Sequence, residues 1–141
     1  MTVAEIMSIE VTCCRPETTL AEAARLMQDH DCGSLPVVQG EGRELVGIIT
    51  DRDIVCRAIA HHRSLDEPVS EFMSTQLTTV HAAQSAEECE ELMQDLALRR
   101  IPVVDQNGCC CGMVSLADVA RVRDDHSIAM VTRGVSRPYL A

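Results

Sequence analysis

Apolar positions along the chain switch between two spacings, and the switches mark out the elements. Leu20, Ala23, Ala24 and Met27 recur at helical spacing, as do Ala86, Cys89, Leu92, Met93 and Leu96. Each run opens on a capping box, Thr19-x-x-Glu22 in one and Ser85-x-x-Glu88 in the other. Behind each helix stand two β-rich runs, residues 35–38 and 45–50 in the first case and 101–105 and 110–115 in the second. Gly40-Glu41-Gly42 and Asn107-Gly108 between them are turn signals, the latter suited to a tight hairpin. Short opening helices are predicted over 3–7 and 69–73, followed by brief extended pieces around Val11-Thr12 and Thr78-Thr79-Val80. Closing helices follow over 51–60 and 116–123. The predicted order is α-β-α-β-β-α, twice.

The repetition extends to single residues. Val3-Ala4-Glu5-Ile6-Met7-Ser8 aligns with Val69-Ser70-Glu71-Phe72-Met73-Ser74 at an offset of 66. The same offset pairs Leu26-Met27 with Leu92-Met93 and Leu35-Pro36-Val37-Val38 with Ile101-Pro102-Val103-Val104. Past the hairpin it falls to 65, pairing Gly47, Thr50 and Asp53 with Gly112, Ser115 and Asp118, so the second turn is one residue shorter. The chain is read as a tandem duplication: repeat 1 over 1–60, a polar linker over 61–68, repeat 2 over 69–123 and a tail over 124–141. In the tail, Ile128, Met130 and Val131 predict a short helix with an apolar side, ended by Gly134 and Pro138. Met7, Met27, Met73 and Met93, in register, are read as core between the repeats.

The stretches that carry chemistry are Gly47-Ile48-Ile49-Thr50-Asp51-Arg52-Asp53 and Gly112-Met113-Val114-Ser115-Leu116-Ala117-Asp118. Each is an apolar strand ending in a hydroxyl residue, with an aspartate three positions later in the first turn of a helix. A helix N-terminus with open N–H groups suits a phosphate, and a carboxylate there can accept from two sugar hydroxyls. The pattern suits a phosphorylated ribose. A helix dipole favours a first-turn aspartate in any case; it is the duplication that points to a ligand. The second copy differs in having Leu116-Ala117 where the first has Asp51-Arg52.

Composition narrows the ligand. The net charge is −10, which disfavours general nucleic-acid or anionic-membrane binding. Phe72 and Tyr139 are the only aromatic residues, too few for a base-stacking surface. An anionic ligand then needs a local cationic pocket, and Arg52, Arg99 and Arg100 are the candidates. Against these stands a plain reading as solvated or ion-paired surface. No apolar run reaches the roughly 18 residues of a membrane span, and the N-terminus lacks signal-peptide character. A cytoplasmic protein with reduced thiols is expected.

The opening V-x-E-x-M-S helix, the L-P-V-V or I-P-V-V strand and the G-h-h-[ST]-x-x-D junction, in order and twice, resemble a pair of cystathionine-β-synthase (CBS) domains. The resemblance covers residues 3–123. It implies an α/β (α+β) fold of two repeats packed sheet to sheet with pseudo-two-fold symmetry, frequent homodimers, and clefts binding adenosine-containing ligands such as AMP, ADP, ATP or S-adenosylmethionine. It implies that Asp53 and Asp118 bind ribose hydroxyls and that Thr50 and Ser115 contact ribose or phosphate. Gly33, Ser34, Leu35 and Pro36, and Arg99, Arg100, Ile101 and Pro102, would line the clefts. Main-chain groups at Thr12-Cys13 and Thr78-Thr79 would bracket adenine. Gly33-Ser34 against Arg99-Arg100 is the clear asymmetry between the copies.

Cys13-Cys14 and Cys109-Cys110-Cys111 invite a metal or redox reading, yet no paired C-x-x-C spacing is present. Adjacent strand cysteines point to opposite faces, while Cys109 and Cys111 share one. Cys32, Cys56 and Cys89 are read as core. The histidines form no pattern, and no nucleotide-binding glycine loop is present.

The sequence is therefore read as a stand-alone CBS-pair protein. It would be a non-enzymatic regulatory sensor, of energy state if its ligand is an adenine nucleotide, with no required cofactor. It would signal by conformational change to a homodimer surface or a separate protein, with the tail as contact region. The rivals are a ligand-free structural or dimerisation module, a cysteine-based redox or metal protein, and an enzyme acting on a nucleotide.

Overall fold

The computed structural model describes residues 1–122 and 125–136. Its helices are α1 (Val3–Ile6), α2 (Leu20–Asp29), α3 (Asp51–Asp53), α4 (Ala86–Leu96), α5 (Leu116–Val122) and α6 (Asp125–Val135). The strands are β1 (Ser34–Gln39), β2 (Glu44–Thr50), β3 (Val80–His81), β4 (Arg100–Val104) and β5 (Cys110–Ser115). The fold is mixed helix and sheet with two sheets, as expected. Arg123, Asp124 and Pro138 of the expected closing helix and tail lie outside the described residues.

The chain divides into two compact units that do not follow the sequence repeats. Of the described residues, unit 1 contains 1–11, 78–106, 111–122 and 125–136, and unit 2 contains 12–77 and 107–110. Each opening segment therefore belongs with the body of the other copy. Val3 and Ile6 of α1 lie in one core with Val80, Met93, Ile101 and Val114. Val69 and Phe72 lie in the other with Leu20, Leu35 and Ile49.

The V-x-E-x-M-S motif has a packing explanation in each unit. Its first and fourth residues are core, and its serine pairs with a strand edge: Ser8 with Met113 in unit 1, Ser74 with Ile48 in unit 2. Its methionine lies over the strand's glycine. A Cβ on Gly112 would stand 2.6 Å from Met7 Sδ and 3.1 Å from the Ser8 carbonyl oxygen. On Gly47 it would collide with Met73 Sδ and stand 3.1 Å from the Ser74 carbonyl oxygen. Glycine opens both runs because the neighbouring backbone leaves no room for a side chain.

In unit 2, β1 and β2 pair antiparallel, with Ser34 opposite Thr50 and a bulge between Val37 and Val38. The extended piece expected near Val11-Thr12 is not a strand. Cys14 alone bridges Val37, donating to the Pro36 carbonyl and accepting from Val38 N–H. In unit 1 the corresponding piece is strand β3, parallel to β4. The opening segment over 69–71 is a 3₁₀ turn, Val69–Glu71, following Pro68, rather than an α-helix. The helix expected over 51–60 runs from α3 through a π-helical turn, Ile54–Ala58, into a 3₁₀ turn, Ile59–His61. That widened turn buries Ile54 and Ala58 while leaving Val55, Cys56 and Ile59 exposed, so Cys56 is not core.

α2 and α4 begin on the predicted caps, Thr19 accepting from Glu22 N–H at 3.2 Å and Ser85 from Glu88 N–H at 3.1 Å. Both end alike. Asp31 (φ 49°) and Ala97 (φ 53°) are left-handed, and the next residues donate back to Met27 and Met93 carbonyls. Gly134 does not end the tail helix. It lies within α6, where a Cβ would stand 2.5 Å from Gln94 Cα, so it permits the close approach of α6 to α4. Val131 and Val135 complete the unit 1 core.

Candidate functional site

Each unit carries one complete set of the residues expected from sequence. In unit 2, β1 places Ser34, Leu35 and Pro36 beside Thr50, Ile49 and Ile48 of β2, and the Cys13-Cys14 segment runs next to Pro36. Asp51 N–H donates to the Gly33 carbonyl at 2.9 Å. In unit 1 the equivalent bond runs from Leu116 N–H to the Arg99 carbonyl at 3.1 Å. Gly33 and Arg99 thus each adjoin the hydroxyl–carboxylate junction of their own unit. Leu35, Pro36, Ile101 and Pro102 are buried. Thr12, Thr78 and Thr79 are half-buried, and Arg52, Arg99 and Arg100 are exposed.

The two junctions share a local geometry. Thr50 Oγ1 accepts from Asp53 N–H at 3.0 Å while Asp53 Oδ2 accepts from Thr50 N–H at 3.0 Å. Ser115 and Asp118 exchange the same bonds at 3.2 and 2.8 Å. The hydroxyl-x-x-Asp spacing is a capping box, which is why it was readable from sequence.

The remaining capacity of the two carboxylates differs. Asp118 Oδ2 also accepts from Ser115 Oγ at 3.0 Å, and Oδ1 accepts from Ser8 Oγ at 3.1 Å and Arg121 Nη2 at 2.5 Å. Its side chain is 5 % exposed and four donors surround it. Among the described residues, Asp53 Oδ1 has only a long ion pair, 3.6 Å from Arg57 Nε, and the side chain is 14 % exposed. Arg57 gives its shorter bond, 3.1 Å, to the Phe72 carbonyl. Asp53 keeps acceptor capacity for a ligand; Asp118 spends its own within the unit. Sequence reading missed Ser8, Arg57 and Arg121. The arginines stand four and three positions after their aspartates, a spacing that brings helical side chains together, whereas nothing local announces Ser8.

The charge around each junction also differs. A Cβ on Gly33 would stand 3.0 Å from Asp51 Oδ2, so a carboxylate borders the unit 2 junction. Unit 1 has Arg99 and Arg100 at the equivalent edge.

The cysteines are arranged in a way the strand pattern did not show. Cys13 Sγ accepts from Arg43 Nη2 at 2.8 Å and from the Cys110 thiol, which reaches unit 2 on the 107–110 hairpin tip. The Cys110 hydrogen bond, then the bond and charge of Arg43 and the charge of Arg15, pull the Cys13 thiol down to about 6 against the cost of burial. Its neighbour Cys14 is pushed up to about 12 by burial and by Cys13. Burial likewise raises Cys89, to about 11, and Cys111. Among the described residues, no group of three or more His, Cys, Asp and Glu side chains is placed to hold a metal ion, and no helix is long and apolar enough to cross a membrane.

Comparison with known proteins agrees with this architecture. The CBS domain family model matches residues 3–58 and again 69–125. The CBS domain-containing protein YhcV of Bacillus subtilis is 42 % identical over 118 residues, covering 84 % of this chain and 82 % of that protein. The crystal structure of Hypoxic Response Protein I with two coordinated zinc ions superposes with a TM-score of 0.79 at 34 % identity, covering 88 % of this chain and 100 % of that one. The CBS domain pair of protein MJ0100, in complex with 5′-methylthioadenosine and S-adenosyl-L-methionine, gives a TM-score of 0.76 at 28 % identity over 86 % of this chain and 98 % of that one. With both repeats matched, the chain belongs to the CBS-domain family.

Proposed function

We propose that this protein is a non-enzymatic regulatory CBS pair that binds an adenosine-containing ligand at the Thr50–Asp53 junction of unit 2. The observation that carries the reading is the half-engaged carboxylate of Asp53, held by its capping box with Oδ1 left for sugar hydroxyls. Thr50 and Ser34 would stand beside the ribose, and the main chain of Thr12 and Cys13 beside the base. Arg52 is the nearest candidate for an anionic group. Asp51 at the Gly33 edge disfavours a phosphate there and favours a neutral or cationic adenosyl group, such as 5′-methylthioadenosine or S-adenosylmethionine, over AMP, ADP or ATP. The MJ0100 pair, which holds those two ligands, supports an adenosyl ligand without ranking it against the nucleotides.

For unit 1 the same argument favours a structural junction. Asp118 is saturated, so Thr78, Thr79, Ser115, Arg99 and Arg100 form an anion-favouring edge without an available ribose acceptor. Ligand binding would act by favouring one of two conformations read by a second copy or a separate regulated protein.

Thermal unfolding against 5′-methylthioadenosine, S-adenosylmethionine, AMP, ADP, ATP and NAD tests this reading. A ligand at 100 times its Kd adds about 2.7 kcal/mol, a rise of roughly 5–10 °C. We expect the rise with the adenosyl compounds, its loss in Asp53→Asn, and its survival in Arg99→Ala. No rise with any compound at millimolar concentration refutes the proposal and leaves the ligand-free module.

A further inference from the structure

We propose that Cys13 and Cys110 form a thiol–disulfide switch oxidised by hydroperoxides, with Cys13 as the peroxidatic thiol and Cys110 as its resolving partner. Three observations place it. The two side chains are hydrogen-bonded, although 97 residues separate them in sequence. The Arg43 guanidinium lies 2.8 Å from Cys13 Sγ, the position that stabilises a thiolate and the charge developing on a departing oxygen. The backbone holds the set together. The Arg43 carbonyl accepts from Cys110 N–H at 2.9 Å, Leu45 N–H donates to the Gly108 carbonyl at 3.1 Å, and Glu44 bridges Cys109.

Arg43 reaches this position from a left-handed backbone (φ 62°) in the first hairpin turn, a conformation uncommon for a residue with a side chain. That turn is the one longer by a residue than its counterpart in the second copy, and the second copy has Leu77 and Thr79 where the first has Val11 and Cys13. The constellation is thus particular to one repeat. Cys13 is half-buried and reachable by a small oxidant, while Cys110 is buried. The groups acting on the Cys13 charge are Cys110, Arg43 and Arg15, and that charge in turn acts on Cys14. They leave Cys13 ionised at neutral pH and Cys14 protonated.

The chemistry balances with the peroxide as the sole oxidant. The Cys13 thiolate attacks a peroxide oxygen; an S–O bond forms, the O–O bond breaks, and the alcohol or water leaves with a proton. Cys110 sulfur then attacks the sulfenic sulfur. An S–S bond forms, the S–O bond breaks, and water leaves with the Cys110 proton. Two thiols give two electrons to one peroxide, and a dithiol reductant reverses the change.

Because Cys13 also lies on the segment assigned above to the base, the disulfide would alter ligand affinity. That consequence rests on the proposed adenosine site; the thiol chemistry does not. The test uses the full chain, reduced and without ligand, treated with equimolar hydrogen peroxide at pH 7. Thiol titration and peptide mass spectrometry should find two thiols lost per chain and a Cys13–Cys110 cross-linked peptide, both reversed by dithiothreitol. Cys110→Ser should leave Cys13 trapped as a sulfenic acid by dimedone. In the wild type Cys13 should alkylate at least about tenfold faster than exposed Cys56, and Arg43→Met should remove several-fold of that advantage while Arg43→Lys restores part. Cys13 reacting no faster than Cys56, a bridge between other cysteines, or a bridge only between chains overturns the proposal. A ligand-induced rise in melting temperature that is equal in reduced and cross-linked protein would overturn the coupling to affinity alone.

Discussion

Replacing Asp118 with alanine removes a carboxylate that unit 1 uses to join three segments. Ser8 follows α1, Ser115 ends β5 and Arg121 lies in α5; all three donate to Asp118. Loss of the carboxylate half of the capping box, the acceptor for Ser115 N–H, contributes about 1 kcal/mol. The hydrogen bond from Ser8, an exposed residue, to the charged carboxylate contributes about 1 kcal/mol more. Arg121 is 63 % exposed and returns to water, so the ion pair is discounted to at most about 1 kcal/mol. The expected cost is about 3 kcal/mol. For 141 residues the unfolding entropy is about 0.3 kcal/mol/K, so the melting temperature should fall by roughly 10 °C. Asp53→Ala, which loses the carboxylate half of its capping box and a long ion pair, should cost about 1–2 kcal/mol. The assay is denaturant unfolding of Asp118→Ala, Ser8→Ala, the double variant and Asp53→Ala. Ser8 and Asp118 should couple by at least about 0.5 kcal/mol in the double-mutant cycle. Additive effects, or Asp118→Ala costing no more than Asp53→Ala, would refute the view that Asp118 is committed to the fold and Asp53 to a ligand.

Three further outcomes follow from the same contacts. Gly47→Ala and Gly112→Ala should each destabilise by about 1–3 kcal/mol, because methionine sulfur can move aside but the Ser74 and Ser8 carbonyls cannot; an unchanged denaturation midpoint would contradict this. Gly134→Ala should destabilise although glycine-to-alanine changes in helices usually help by about 1 kcal/mol, since the methyl meets α4 backbone; a raised melting temperature would remove the close helix contact. Cys13, ionised in the folded state down to about pH 6 against an ordinary 9.0, contributes stability that is complete above pH 9 and lost as pH falls through about 6. The stability gap between wild type and Cys13→Ser should therefore narrow from pH 9 to pH 6, and the alkylation rate of Cys13 should titrate near 6; a midpoint near 9 would contradict the assigned contacts.

Sequence alone determined whatever depends on neighbours a few positions apart. The helix caps at Thr19 and Ser85 and the hydroxyl-x-x-Asp spacing at Thr50 and Ser115 act over three residues, and helical or alternating apolar spacing is a property of one segment. Those patterns, present twice, were enough for the repeat, the two sheets and the family. The stops of α2 and α4 were less legible, because Asp31 and Ala97 take the left-handed conformation where glycine is the usual signal. Only the tertiary structure decided how distant segments meet. An apolar face on α1 says that Val3 and Ile6 are buried, not that they are buried among β3, α4 and β4 of the other copy. Equal hydroxyl-x-x-Asp motifs could not reveal that Ser8 and Arg121 donate to Asp118 while Asp53 Oδ1 has a long ion pair with Arg57. Nor could strand alternation, which sets the direction of Cys109 and Cys111 within one strand, place Cys110 against Cys13. A side chain's hydrogen-bonding capacity is spent on whatever the fold brings within about 3 Å, and that is settled by packing between segments, which local spacing does not encode.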